Sequence, residues 1–170
     1  MRKVWLTISS LALVAILLGL VGCANPTRGE SNFNLIFKYG VGAKNELNTF
    51  EGTFTKDMVS DSSITVNLSL TEEELDRIYQ KMLEIDFFAY PDRFSVSTPP
   101  GASVGVVTPY SSYYFKTEYD SKIKELWWDD ETINEDEKAD KLRELIQLVR
   151  DIIESKEEYK ELPEPKSGYL

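Results

Sequence analysis

Histidine is absent from the 170-residue chain, and cysteine occurs once. The first absence removes any Ser-His-Asp triad, Cys-His pair or imidazole-ligated metal site. The second removes an internal disulfide and a zinc–thiolate cluster. A glycine-rich phosphate loop, a GxSxG elbow and an SxxK motif are missing as well. Catalysis would then have to rest on two placed carboxylates. The acidic residues fall mainly on expected helix surfaces, where solvation accounts for them. The chain therefore reads as a non-enzyme that needs no cofactor and no metal. Basic residues are also scarce, 19 Lys and Arg against 29 Asp and Glu, for a net charge of −10. That balance repels nucleic acid and excludes it as a partner. What remains is 42% hydrophobic and 12% aromatic, the composition of a folded globular protein.

The N-terminus is the most informative stretch. Arg2 and Lys3 precede an apolar run from Val4 to Leu20 whose only polar side chains are Thr7, Ser9 and Ser10. Length alone does not separate an export signal from a membrane helix. Leu20-Val21-Gly22-Cys23 follows directly, and these four residues resemble the lipobox of bacterial lipoproteins. The resemblance implies diacylglyceryl transfer to the Cys23 sulfur and cleavage between Gly22 and Cys23. It makes residues 1–22 a signal peptide, and residues 23–31 a lipidated cysteine with a short tether. The mature chain would sit at the extracytoplasmic face of the cell membrane, held by acyl chains on one residue. Cleavage removes Arg2 and Lys3 and no acidic residue, so the exported part is more acidic still. An anionic lipid surface repels such a domain, and attachment is expected to rest on the lipid alone.

Residues 32–158 read as a single α+β domain. Phe33, Leu35, Phe37 and Tyr39 alternate, as do Ile64, Val66, Leu68 and Leu70, which is the period of a half-buried strand. A third extended stretch runs from Leu47 to Thr55. Thr71 with Glu74 forms a capping box ahead of Leu75, Ile78, Tyr79, Met82 and Ile85 at helical spacing. Residues 91–109 read as a long loop around Pro99-Pro100-Gly101, to which Val104 to Thr108 could add a short strand. Tyr113 to Tyr119 and Ile123 to Trp128 alternate again around a turn at Asp120-Ser121. Asn134 with Glu137 points to a second cap, and Ala139 to Ile153 to a second amphipathic helix over 135–157. The expected fold is an antiparallel sheet of about five strands with two helices on one face, in the order β-β-β-α-β-β-α. Residues 159–170 read as a flexible tail. The segment Leu70 to Asp92 resembles one found in small lipoproteins of Bacillus-type Gram-positive bacteria. That resemblance brings no activity with it and implies a Gram-positive envelope.

Two features invite a functional reading. Asp129-Asp130-Glu131 and Glu135-Asp136-Glu137 crowd carboxylates together. No glycine occupies the sixth position of an EF-hand counted from Asp129 or Asp130, and Lys141 stands where the twelfth ligand would be. An acidic helix N-terminus accounts for the cluster. Trp127-Trp128 is the second. Neighbours on a strand point to opposite faces, so one ring belongs in the core and the other outside. With Tyr110, Tyr113 and Tyr114 it forms a candidate binding surface. The expected partner is an envelope protein or peptide. The alternative is a small molecule or wall glycan, which requires a concave pocket beside the tryptophans.

Overall fold

The computed structural model describes residues 32–97, 101, 103 and 105–169. The lipobox reading at Gly22 and Cys23, and the tether, lie outside the described residues. Seven strands form one sheet: β1 Asn34–Tyr39, β2 Asn45–Asn48, β3 Thr53–Lys56, β4 Ile64–Asn67, β5 Arg93–Phe94, β6 Val106–Tyr119 and β7 Lys122–Thr132. Three helices accompany them: α1 Glu72–Glu84, α2 Glu137–Ser155 and the short α3 Glu157–Lys160. The strand order is β4-β3-β2-β1-β6-β7-β5. All pairs are antiparallel except β5 with β7. This corrects the expectation of an antiparallel sheet of about five strands: the class is α+β, but the sheet has seven strands and is mixed.

The two additional strands have separate causes. The stretch Leu47 to Thr55 is two strands, not one. The Asn48 side-chain oxygen accepts from the N–H groups of Phe50 and Glu51 at 3.1 and 3.3 Å, and Gly52 takes a φ of 64°. That turn folds β3 back onto β2, with Leu47 opposite Phe54. The other is β5, two residues of the expected loop, drawn into the sheet parallel to β7 with Phe94 opposite Trp128.

The register explains the layering. Phe37, Leu47 and Phe54 share a face with Phe115 and Leu126, and all five are buried. Ile78 and Met82 of α1 and seven residues of α2 bury against the same cluster. The opposite face carries Lys38, Glu46, Thr55, Tyr114, Lys116 and Glu125, partly or fully exposed. One face is therefore core and the other faces water, as one-sided antiparallel sheets do. The β6–β7 turn is two residues, Asp120 and Ser121, both at positive φ, the geometry that matches strand twist in a hairpin.

The helix ends are chemically defined. Thr71 Oγ1 accepts from the Glu74 N–H while the Glu74 carboxylate accepts from the Thr71 N–H. Helix α2 is capped by Asp136, whose side chain accepts from Ala139 N–H, and not by Asn134. Asn134 instead bonds Gly105 N–H and Ser103 O. The C-terminal segment packs back on the domain: Leu162 is buried, Lys56 pairs with Glu164 at 3.0 Å, and the Tyr169 hydroxyl donates to Asp57.

Glu74 also receives the Lys156 ammonium at 2.5 Å, joining α1 to the end of α2. Burial pushes this carboxyl up, but Lys156 and the Thr71 N–H outweigh burial and hold it below the ordinary carboxylate value. A depressed pKa stabilises the fold above the unfolded value of about 4.3 and loses that contribution as pH falls further. Glu74→Gln should therefore lower stability at neutral pH and flatten its decline below about pH 4.5, read by urea melts across that range. Thr71→Ala should cost about 0.5–2 kcal/mol at neutral pH.

Candidate functional site

The two tryptophans separate onto opposite faces. Trp128 follows Leu126 in the inward parity and is 1% exposed. Phe94 meets it edge-on at 5.5 Å and Tyr113 lies 5.6 Å away. The Arg143 guanidinium sits 5.2 Å over its ring, a cation–π contact from α2. Trp127 takes the open face. Its indole N–H donates to Asp129 at 3.0 Å, and the other Asp129 oxygen accepts from the Ser112 hydroxyl at 2.6 Å. The rotamer of Trp127 is thus held from below. Tyr114 lies beside it at 6.1 Å. Tyr114, Trp127 and Arg93 stand in one cross-strand row, half-buried or exposed.

The five sequence-nominated residues therefore do not form one platform. Tyr114 and Trp127 lie together on the open face. Tyr113 lies on the helix side with buried Trp128, and Tyr110 stands further along β6. Tyr110 and Tyr113 instead line a cleft of about 380 Å³ where the β6–β7 hairpin runs out beyond α2. Pro109, Asp130, Thr132 and Arg143 complete its walls, with Val107 and Ile133 at the mouth. Asp130 and Arg143 meet as a two-point ion pair, Nη2 to Oδ1 at 2.6 Å and Nε to Oδ2 at 3.1 Å. Asp140 takes the remaining arm at 2.7 Å. The hydrogen bonds that Arg143 donates to Asp130, and then to Asp140, outweigh burial and hold its pKa above the already high ordinary value. Burial pushes the Tyr113 phenol up against the opposing hydrogen bond of Ser111, so it stays neutral at any physiological pH. The cleft is thus lined mainly by polar groups, the Asp130–Arg143 pair, Ser111 and Thr132, with Val107, Pro109 and Ile133 adding a smaller apolar share.

Two aliphatic side chains at its mouth stand in solvent: Ile133 is 69% exposed and Val107 40%. Gly105 permits this arrangement: a side chain there would collide with Ile133, whose N–H donates to Gly105 O at 3.1 Å. The register of β6 slips between Val106 and Ser111, so Pro109 falls where the ladder is already broken.

Sequence reasoning missed Asp130, Arg143, Val107 and Ile133 as partners in one cleft. One signal was available for the tryptophans: Trp128 shares parity with Leu126, and Trp127 with Glu125 and Asp129. Among the described residues no group of three acidic or cysteine side chains is placed to hold a metal ion. Nor is any described helix long and apolar enough to cross a membrane.

The division of faces has a measurable consequence. Trp128→Ala should cost about 3–5 kcal/mol, the usual loss for a buried aromatic. Trp127→Ala should cost well under half of that. Chemical denaturation of both variants checks it, and equal losses would contradict the assignment of faces. No protein-family model matches the chain, and no curated protein or solved structure matches it significantly.

Proposed function

We propose that the mature chain is a non-catalytic binding lipoprotein, anchored through Cys23 at the extracytoplasmic face of the membrane. Its partner is an apolar-bearing segment of an envelope protein or peptide, met at the free end of the β6–β7 hairpin. One observation supports the partner reading above the others. Val107 and Ile133 stand in solvent at a cleft whose ion pair, Asp130 with Arg143, is already made within the protein. Exposed aliphatic side chains clustered at one place are a docking signature and carry no catalytic use. The Asp130–Arg143 pair holds the cleft's shape, and Tyr110 and Tyr113 supply contact area with little entropy to lose. Anchoring is supported by the Leu20–Cys23 box and by the basic and apolar residues before it. The second reading, a small molecule or glycan, is favoured by the concavity of the same cleft.

The test selects peptides from a random library against the immobilised protein. Ile133→Asp or Val107→Asp should weaken the selected peptides about 10- to 100-fold, the loss of roughly 1–3 kcal/mol at an apolar contact. The melting temperature of the free protein should stay unchanged. A melting shift with wall fragments and none with peptides would install the second reading. Separately, Cys23→Ala should leave an unlipidated form outside the membrane fraction, and a normally processed, membrane-bound variant would defeat the anchor.

A further inference from the structure

An apolar groove lies at the other end of the hairpin. It holds about 400 Å³ and is lined by Tyr79, Phe88, Tyr119, Lys122, Ile123 and Lys124. Ile123 is 59% exposed and Phe88 40%. Leu83, also exposed, stands one helical turn on from Tyr79. Tyr79 stacks on Tyr119 at 4.7 Å and touches Phe88 at 6.1 Å. Lys124 reaches Asp92 and the Tyr90 carbonyl. Lys122 has no ion-pair partner among the described residues.

The position of this groove is what gives it meaning. β1 begins at Asn34, which pairs with Glu118, and Glu118 pairs with Ile123. The chain therefore enters the domain two strands from Ile123, about 10 Å away. Phe33, the residue before β1, packs on Tyr79 of the groove itself at 5.2 Å. Only eight residues, 24–31, separate Asn32 from Cys23, a reach of at most about 29 Å. None of those eight is a large apolar residue that would fill the groove.

We propose that this end of the domain rests on the bilayer surface that holds the Cys23 lipid, with Phe88 and Ile123 entering the interfacial layer. The proposal rests on the lipid-anchor reading above and adds a protein contact to it. Tyrosines with a polar tip, a buried-stem lysine and exposed Phe and Ile are the side chains that populate membrane interfaces. The occupant is a lipid surface and not a protein because the tether enters the domain at this end and its short reach keeps this end near the membrane that holds Cys23. The contact is interfacial and apolar: Asp120 and Glu118 beside it and the net charge of −10 argue against attraction by anionic lipid. It replaces the expectation that attachment rests on the acyl chains alone.

The test uses the full chain purified from membranes, with Ile123→Cys or, as the distal control, Val107→Cys. Lipid on Cys23 leaves the new cysteine as the sole free thiol, and mass spectrometry establishes that lipid. Each form is labelled with an environment-sensitive nitrobenzoxadiazole and placed in phosphatidylcholine vesicles carrying a headgroup nitroxide. The label at position 123 should shift to the blue and lose intensity, while the label at 107 keeps the emission it has in water. A water-like, unquenched label at 123 on a lipidated chain would overturn the proposal and leave the anchor standing. Equal quenching at both positions would overturn it too, because the domain would then lie on its side. A chain without lipid on Cys23 would overturn the anchor and the proposal together.

Discussion

A continuous run of aromatic rings holds the helix side of this domain together. Phe37 meets Phe115, Phe115 meets Phe87, and the run passes through Tyr90 and Phe94 to Trp128 and Tyr113, each ring within 6.4 Å of the next. It begins on the central strand and ends at the last pair of strands. Each contact adds about 0.5–1.5 kcal/mol to the area that the rings bury. The chain leaving α1 is pulled across the sheet by Phe87 and Tyr90, which delivers Phe94 to β7 and creates a parallel pair that no turn enforces. The Tyr90 hydroxyl donates to Lys138 O at 3.0 Å, so the same run locates the start of α2. Once α2 is located, Arg143 falls over Trp128 and within reach of Asp130. The walls of the cleft are a consequence of the core.

Local patterns were legible where a single period governed a whole element. Phe33 to Tyr39 alternates because one side of β1 is core and the other water. The Thr71 and Glu74 pair announces α1 because both partners lie within one turn. The apolar spacing from Ala139 to Ile153 announces α2. Patterns failed where a side chain replaced backbone punctuation. The turn after β2 is made by the side chain of Asn48, which is also the last residue of that strand. The end of the expected loop, residues 106–109, belongs to β6, and Pro109 is accommodated there because the ladder slips between Val106 and Ser111. Arg93–Phe94 is too short to carry any period.

The candidate site was legible in its pieces and not in its assembly. Alternation says that Trp127 and Trp128 part company, and the parity of Leu126 says which goes inward. Nothing local says that Arg143, on a helix thirteen residues beyond Asp130, comes back to meet it, or that Val107 and Ile133 share a mouth. Those are products of the return of β7 along β6 and of the docking of α2. The long hairpin thereby separates a largely polar cleft at one end from an apolar groove at the other, along a ladder in continuous register from Ser111 to Tyr119.

That ladder works as a ruler. From Ser111 to Tyr119 the strand climbs about 26 Å at its usual rise, and its partner strand stiffens it along the way. Under the anchoring proposed at Cys23, the height at which the proposed partner is met would be set by strand length, not by the wandering of a short linker. Lengthening the tether would loosen the search in the plane of the membrane. Lengthening the hairpin by one residue on each strand would raise the meeting point by about 3.3 Å and turn every side chain beyond the insertion to the other face.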